Sequence, residues 1–478
     1  MNWWQRGVIY QVYPRSFADA DGDGIGDLRG LAGRLDHLAW LGVDAVWLSP
    51  IYRSPMRDFG YDISDHTAID PRFGSLADFD ALVEAAHRRD QRVLLDFVPN
   101  HTTDEHPWFT ESPGRYLWRD PAPDGGPPNN WLSVFGGPAW TLDPGRGQYY
   151  SHAYLREQPD LDWRNPAVRE AMVGVLRFWI DRGVDGFRVD ALRQVLKDPE
   201  LRDNPPNPDY HSGLPEYDSL LPVRSADHDD LAPVAAMAEV IAERGGVMIG
   251  ELYAPLERLV RYYAAGVQLP SNMHLISTEW DAGAIADLVE RYEAALPEGA
   301  WPNWVLGNHD RPRIASRVGT AQARVAAMLL LTLRGTPTLY YGDELGMEDV
   351  AIERMADPGM ARDPARTPMR WSRDGGFTTG DPWLPYGDLA VNADDDPLAM
   401  LALYRALLRL RRDIDGPYRT LHAADGVLAY ARGDRHAVAL NLTGEPRPLP
   451  VSGEVVLSTH MDGAGTALRA DEGVVLRI

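Results

Sequence analysis

The chain has 478 residues, 44% hydrophobic and 24% charged, a globular composition too long for one small domain and ample for a barrel with attachments. A formal net charge of −23 and a pI of about 4.9 set the surface against nucleic acid and anionic lipid and suit a neutral partner. With no cysteine, disulfides, thiolate metal sites and a thiol nucleophile are excluded.

No apolar leader follows Met1-Asn2-Trp3-Trp4, because Val8-Ile9-Tyr10 is too short, and no stretch approaches a membrane span. A cytoplasmic protein without a membrane partner is the expectation. Lys197 is the only lysine.

Short apolar runs alternate with longer amphipathic stretches, the pattern of βα units around a parallel sheet. Strands are predicted at 8–13, 44–48, 92–97 and 185–189. Others follow at 247–250, weakly at 267–275, then at 303–307 and 337–341. Helical periods fill 27–41, 77–90, 166–182, 231–244, 283–295, 321–334 and 397–412. Eight strands separated by helices predict a closed (β/α)8 TIM barrel. Residues 1–99 and 166–415 are assigned to it. The Pro-, Gly-, Asn- and Trp-rich stretch 100–165 reads as an irregular domain inserted after strand three. A second long loop is predicted over 345–396. Alternating strands with turn signals over 416–478 predict a C-terminal β-sandwich.

In such a barrel the reactive groups sit at the C-terminal strand ends. Asp190 closes Gly186-Phe187-Arg188-Val189-Asp190, Glu251 follows Val247-Met248-Ile249-Gly250, and Asp310 ends Leu306-Gly307-Asn308-His309-Asp310. Paired carboxylates are what glycoside hydrolysis requires, one at the anomeric carbon and one protonating the leaving oxygen. Arg188 lies two residues before Asp190, on the same face of the strand, where its guanidinium is expected to hold Asp190 ionised and oriented.

Taken with Asp96-Phe97-Val98-Pro99-Asn100-His101, these motifs stand in the order found in glycoside hydrolase family 13, the α-amylase family. Gln158 to Trp163 and Ala365-Arg366-Thr367-Pro368-Met369 support the match. The chain resembles the α-glucosidase and oligo-1,6-glucosidase branch from about residue 3 to 412.

The resemblance implies a retaining, exo-acting α-glucosidase. Asp190 would be the nucleophile and Glu251 the general acid/base with a raised pKa. Asp310 would hold the sugar 2- and 3-hydroxyls, with His101 and His309 bonding the same sugar. It further implies that Asp58 and Arg366 pair to close the pocket and that Tyr61 stacks under the ring. Phe59 departs from the asparagine common in oligo-1,6-glucosidases. Ala191 stands where Val accompanies α-1,6 and Thr α-1,4 preference, so short maltose-type substrates are expected, with sucrose or isomaltose in reach.

Sucrose isomerases and trehalose synthases share the catalytic set and are the alternative. An isomerase-type Arg-Leu-Asp-Arg-Asp loop does not follow Asp310, where Arg311-Pro312-Arg313 stands, which favours hydrolysis. A non-catalytic sugar-binding homologue would have lost carboxylates that are all retained here.

One further loop, Asp19-Ala20-Asp21-Gly22-Asp23-Gly24-Ile25-Gly26-Asp27, alternates carboxylates with glycine like the start of an EF-hand loop. Asp19, Asp21, Asp23 and Asp27 by side chain, and Ile25 by carbonyl, are the candidate ligands of a structural Ca²⁺ or Mg²⁺. The carboxylate mechanism itself needs no cofactor.

Overall fold

Side-chain alternation along short strands explains how the sequence builds a packed barrel with a polar mouth. The computed structural model describes residues 2–226, 229–353, 361–372, 375–387, 400–463 and 465–478. Parts of the predicted loop 345–396, and residues 397–399 of the predicted last helix, lie outside the described residues.

Eight parallel strands close the barrel: Ile9–Val12, Ala45–Leu48, Arg92–Phe97, Gly186–Val189, Val247–Leu252, Leu269–Asn272, Asn303–Val305 and Thr336–Tyr340. Each pairs with its predecessor, and the last closes on the first with Ile9 opposite Thr338. Inside, Ile9, Ala45, Leu94, Val247, Ile249 and Leu269 form one apolar cluster. Two residues further along the same strands, the inward positions become Gln11, Trp47, Asp96, Glu251 and Ser271. A period of two therefore carries an apolar floor into a polar mouth.

The predicted helices form at Leu76–His87, Pro166–Ile180, Ala232–Ala242, Ala282–Ala295, Thr320–Thr332 and Met400–Arg411. The first predicted helix divides into Leu28–Ala32 and Leu35–Leu41. Pro166–Ile180 shows the cause of these helices. Asn165 caps it by accepting from the Ala167 amide, and Pro166 sits where no amide is needed. Val168, Met172, Val175, Leu176 and Trp179 form its buried stripe. Each large side chain so buried contributes about 1.5–3 kcal/mol.

Between the third and fourth strands, an antiparallel sheet orders Trp118–Arg119, Gln148–Ser151 and Trp140–Asp143 around a small core of Leu117, Trp131, Ala139 and Trp140. A second excursion, not foreseen in the sequence, runs from the fourth strand to the helix at Ala232. Asn129, Asn130 and Trp131 donate to the carbonyls of Leu201, Asn204 and Arg202 within it.

The C-terminal part is a five-stranded antiparallel sheet with an added two-stranded one, Arg447–Pro448 with Ala467–Leu468. Leu428, Tyr430, Val438, Leu440 and Val475 join the main core, while Val427, Ala429, Ala437, Ala439, Val474 and Leu476 cluster on the other face. Among the described residues no helix is long and apolar enough to cross a membrane.

Candidate active site

Asp96 and Arg188 are register partners on the third and fourth barrel strands. The Arg188 guanidinium, 1% exposed, donates through Nη1 to Asp96 Oδ1 at 2.8 Å and to Asp190 Oδ1 at 2.5 Å. Its Nη2 lies 2.5 Å from Glu251 Oε1 as an ion pair, off the line of a good hydrogen bond. Glu251 Oε2 accepts from the amide of Ala191 at 2.9 Å. That amide is aimed by a left-handed Ala191, with φ of 48°, a conformation an alanine adopts only where its surroundings impose it. Asp96 Oδ2 accepts from Tyr61 Oη and Trp47 Nε1, which fixes the back of the cluster.

The sequence reading expected Arg188 to keep Asp190 ionised. The contact forms, but the charge balance works the other way, because one guanidinium serves three carboxylates. Burial and then the charge of Glu251 push Asp190 well above the ordinary carboxylate range, with Arg188 opposing. Burial likewise pushes Asp96 up to about 6.

Around Asp310 the ratio is inverted. Its Oδ1 accepts from Arg362 Nη1 at 3.1 Å and Arg366 Nη2 at 2.9 Å, and Oδ2 lies 3.3 Å from His309 Nε2. Burial works to raise this carboxyl, but His309, Arg362, Arg366 and Arg188 outweigh it and hold it well below the usual range. Burial pushes His309 down to about 3 and His101 to about 4, so both rings are neutral at pH 7. Tyr61 stacks on His309 with ring centres 5.3 Å apart and planes 2° from parallel.

Comparison with known proteins shows the family of the chain that carries this cluster. Residues 11–416 match the alpha-amylase catalytic domain. An alpha-glucosidase of Culex pipiens is 40% identical over 94% of this chain and 81% of its own length. An oligo-1,6-glucosidase of Halalkalibacterium halodurans is 37% identical over 95% of this chain and 93% of its own. The crystal structure of the alpha-glucosyl transfer enzyme XgtA superposes with a TM-score of 0.93 at 37% identity, covering 100% of this chain and 99% of that one.

The chain belongs to the alpha-amylase family, glycoside hydrolase family 13. Its relatives place it in the branch of α-glucosidases and oligo-1,6-glucosidases.

Within this family member the expected Asp58–Arg366 pair does not form. Asp58 Oδ1 lies 2.5 Å from Arg362 Nη2, and Oδ2 accepts from Gln158 Nε2 at 2.9 Å. Arg366 instead binds Asp310 and donates from Nε to the His309 carbonyl. The two arginines stand at the two ends of the 3-10 turn Asp363–Arg366; both reach Asp310, and only Arg362 also pairs with Asp58.

Gln158 Nε2 also lies 3.2 Å from His101 Nε2, joining the two predicted sugar contacts Asp58 and His101. Arg362, Asp96 and Gln158 are site residues the sequence reading did not assign, although Asp96 and Gln158 open two of its motifs. Phe135, from the inserted sheet region, is stacked by Arg362 at 5.6 Å and has no motif to announce it.

In the loop after the first strand, carboxylate oxygens of Asp19, Asp21 and Asp27 lie within 4.8 Å of one another. Asp23 stands outside that group of three, with its Oδ1 accepting from the Ile25 amide. Asp19 also accepts from the Gly22 and Gly24 amides and Thr378 Oγ1, and burial is outweighed by these bonds, which lower its pKa.

Proposed function

We propose that this glycoside hydrolase is a retaining, exo-acting α-glucosidase that releases glucose from the non-reducing end of short α-glucosides. Asp190 acts as nucleophile and Glu251 as general acid/base. The observation that carries the reading is the pair of contacts from one buried guanidinium, Arg188, to both of these carboxylates. Two acids that touch one guanidinium can face a single glycosidic bond, as retaining enzymes require with carboxyls about 5–5.5 Å apart.

Three carboxylates against one cation also explain where the catalytic proton comes from. Burial and the neighbouring charge of Glu251 raise Asp190 well above its ordinary range, which favours a proton held in the cluster. With sugar bound, that proton serves on Glu251. It moves to the glycosidic oxygen as the bond from that oxygen to C1 breaks, and an oxygen of ionised Asp190 bonds to C1. Glu251 then takes a proton from water, whose oxygen attacks C1 and releases Asp190. Two inversions give retention.

Asp310, held ionised, accepts from the 2- and 3-hydroxyls and gains strength as positive charge develops on the sugar. The Asp58–Arg362–Asp310 chain closes the pocket behind one glucose, and Tyr61 and His101 line it. The resemblance to a glucosyl transfer enzyme favours some transfer to sugar acceptors when they outcompete water.

Asp19, Asp21 and Asp27 fit a hard dication, Ca²⁺ or Mg²⁺, as a structural element, with the Ile25 carbonyl a further ligand by proposal. Product analysis on maltose, isomaltose and sucrose, with the anomer followed by NMR, tests the assignment. Initial release of α-glucose from maltose is expected, and β-glucose or a preference for polymeric starch would refute it.

A further inference from the structure

We infer that Gln11 is a positioning residue of this reaction: its side-chain amide fixes His309 as the tautomer whose Nε2–H is aimed at Asp310 and the hydroxyls bound there. The inference rests on the proposed role of Asp310 as the sugar-binding carboxylate.

Gln11 points inward from the first barrel strand and is fully buried. Its Nε2 lies 2.8 Å from His309 Nδ1 and 3.3 Å from Ser49 Oγ. The other ring nitrogen of His309 lies 3.3 Å from Asp310 Oδ2. A ring lone pair 3.3 Å from an ionised carboxylate oxygen would be repelled, so the nitrogen beside Asp310 carries the hydrogen, off the line of a good hydrogen bond to it. A neutral imidazole has one hydrogen, which leaves Nδ1 as a bare lone pair in need of a donor. Gln11 supplies that donor.

Three further observations agree. His309 is clamped between Tyr61 and Tyr13, whose ring lies 6.0 Å away and 20° from parallel, so the imidazole has no room to turn over. Around it stand Asp310 and the guanidiniums of Arg188, Arg362 and Arg366, with Tyr13 and Tyr61 on its faces; these cations and burial keep the ring neutral. Gln11 Oε1 is itself buried without a hydrogen-bond partner. Turned over, the amide would set this oxygen against the Nδ1 lone pair and strand two N–H donors in place of one acceptor, so the observed orientation costs less.

The test uses the full chain labelled with ¹⁵N-histidine. The His309 nitrogens are identified by their loss in His309→Asn, and activity is followed on an aryl α-glucoside. In the natural protein Nε2 is expected protonated and Nδ1 bare. Gln11→Glu replaces the donor by an acceptor. It is expected to protonate Nδ1, add a titration to the kcat/KM profile between pH 4 and 8, and lower kcat by about 10- to 100-fold. Gln11→Met removes the donor without adding charge and is expected to mix the two tautomers.

A protonated Nδ1 in the natural protein overturns the inference. So does a His309 spectrum unchanged by Gln11→Glu or, should that variant not fold, by Gln11→Met. The spectrum needs no turnover, so a natural protein inactive on the glucoside would sink the functional reading separately.

Discussion

At one side of the sugar pocket three carboxylates share the Arg188 guanidinium, and at the other Asp310 meets two guanidiniums, Arg366 and the Arg362 it shares with Asp58. Both are built from arginine and acid in a buried mouth, yet they push their carboxyls in opposite directions, Asp190 up and Asp310 down. The ratio of charges, not the presence of a salt bridge, decides whether a buried acid holds a proton. A pocket that must both donate a proton and grip a sugar developing positive charge needs one of each. The two halves thus divide the labour that the reaction demands.

The strongest way to break this comparison is to remove the nucleophile. Asp190→Asn keeps the shape but deletes the attacking oxygen, and kcat on maltose should fall roughly 10⁴-fold or more. Steady-state kinetics with a folded variant checks this, and retained turnover would end the assignment. Glu251→Gln should discriminate further. Its loss should be much smaller on an aryl glucoside with an acidic leaving group than on maltose, because only the poor leaving group needs the acid.

Next in size is an attack on the arginine-rich half. Arg366 is 1% exposed and bonds both Asp310 and the His309 carbonyl. Arg366→Met leaves the buried carboxylate one partner short, which should cost about 3 kcal/mol of stability and raise KM. Urea unfolding measures the first and kinetics the second. Arg362→Met should instead free Asp58 as well and shift preference toward longer chains. An identical profile for the two variants would erase the distinction between the arginines.

That distinction was not legible in the sequence, and the reason is geometric. Arg362 and Arg366 stand four residues apart around a single 3-10 turn, and spacing alone does not say which faces Asp58. The barrel strands were legible because runs such as Val93-Leu94-Leu95 and Val247-Met248-Ile249 have no other good use than a sheet covered on both faces. The sixth strand was weak because Leu269–Asn272 carries Pro270, which lacks an amide for the ladder. The carboxylates were legible from their place at strand ends. Their protonation was not, since it depends on how many acids surround one cation in space, a count that sequence order conceals. The excursion that meets Asn129 and Asn130 has no hydrophobic period to announce it.

The same contrast should appear in the pH dependence of stability, with opposite signs. A carboxyl raised in the folded state contributes stability that is complete below its unfolded pKa of about 3.9 and is lost as pH climbs through the folded value. Asp190 is such a group, so Asp190→Asn should raise Tm at pH 7.5, with the gain shrinking toward pH 4. A lowered carboxyl contributes stability present above about 3.9 and lost as pH falls below it. Asp310→Asn should therefore lower Tm at pH 7.5, with a deficit that closes only in more acidic solution. Calorimetric scans from pH 3 to 8 give both slopes, and parallel slopes would show that the two halves do not differ in charge balance.

The smallest expected effect concerns the loop after the first strand, which tests whether that acidic cluster belongs to the catalytic economy at all. Asp19, Asp21 and Asp27 converge without touching Asp190, Glu251 or Asp310 in any hydrogen bond or ion pair among the described residues. An ion bound there at 100 times its Kd adds about 2.7 kcal/mol to the folded state, a few degrees in Tm. Chelation should therefore lower Tm, and Ca²⁺ or Mg²⁺ should restore it, while kcat at 25 °C stays unchanged. Asp21→Asn should abolish that restoration, because the three-carboxylate set is then short of one charge. A fall in kcat that tracks metal removal would instead tie this loop to the chemistry, and the separation of a structural cation from a carboxylate mechanism would fail.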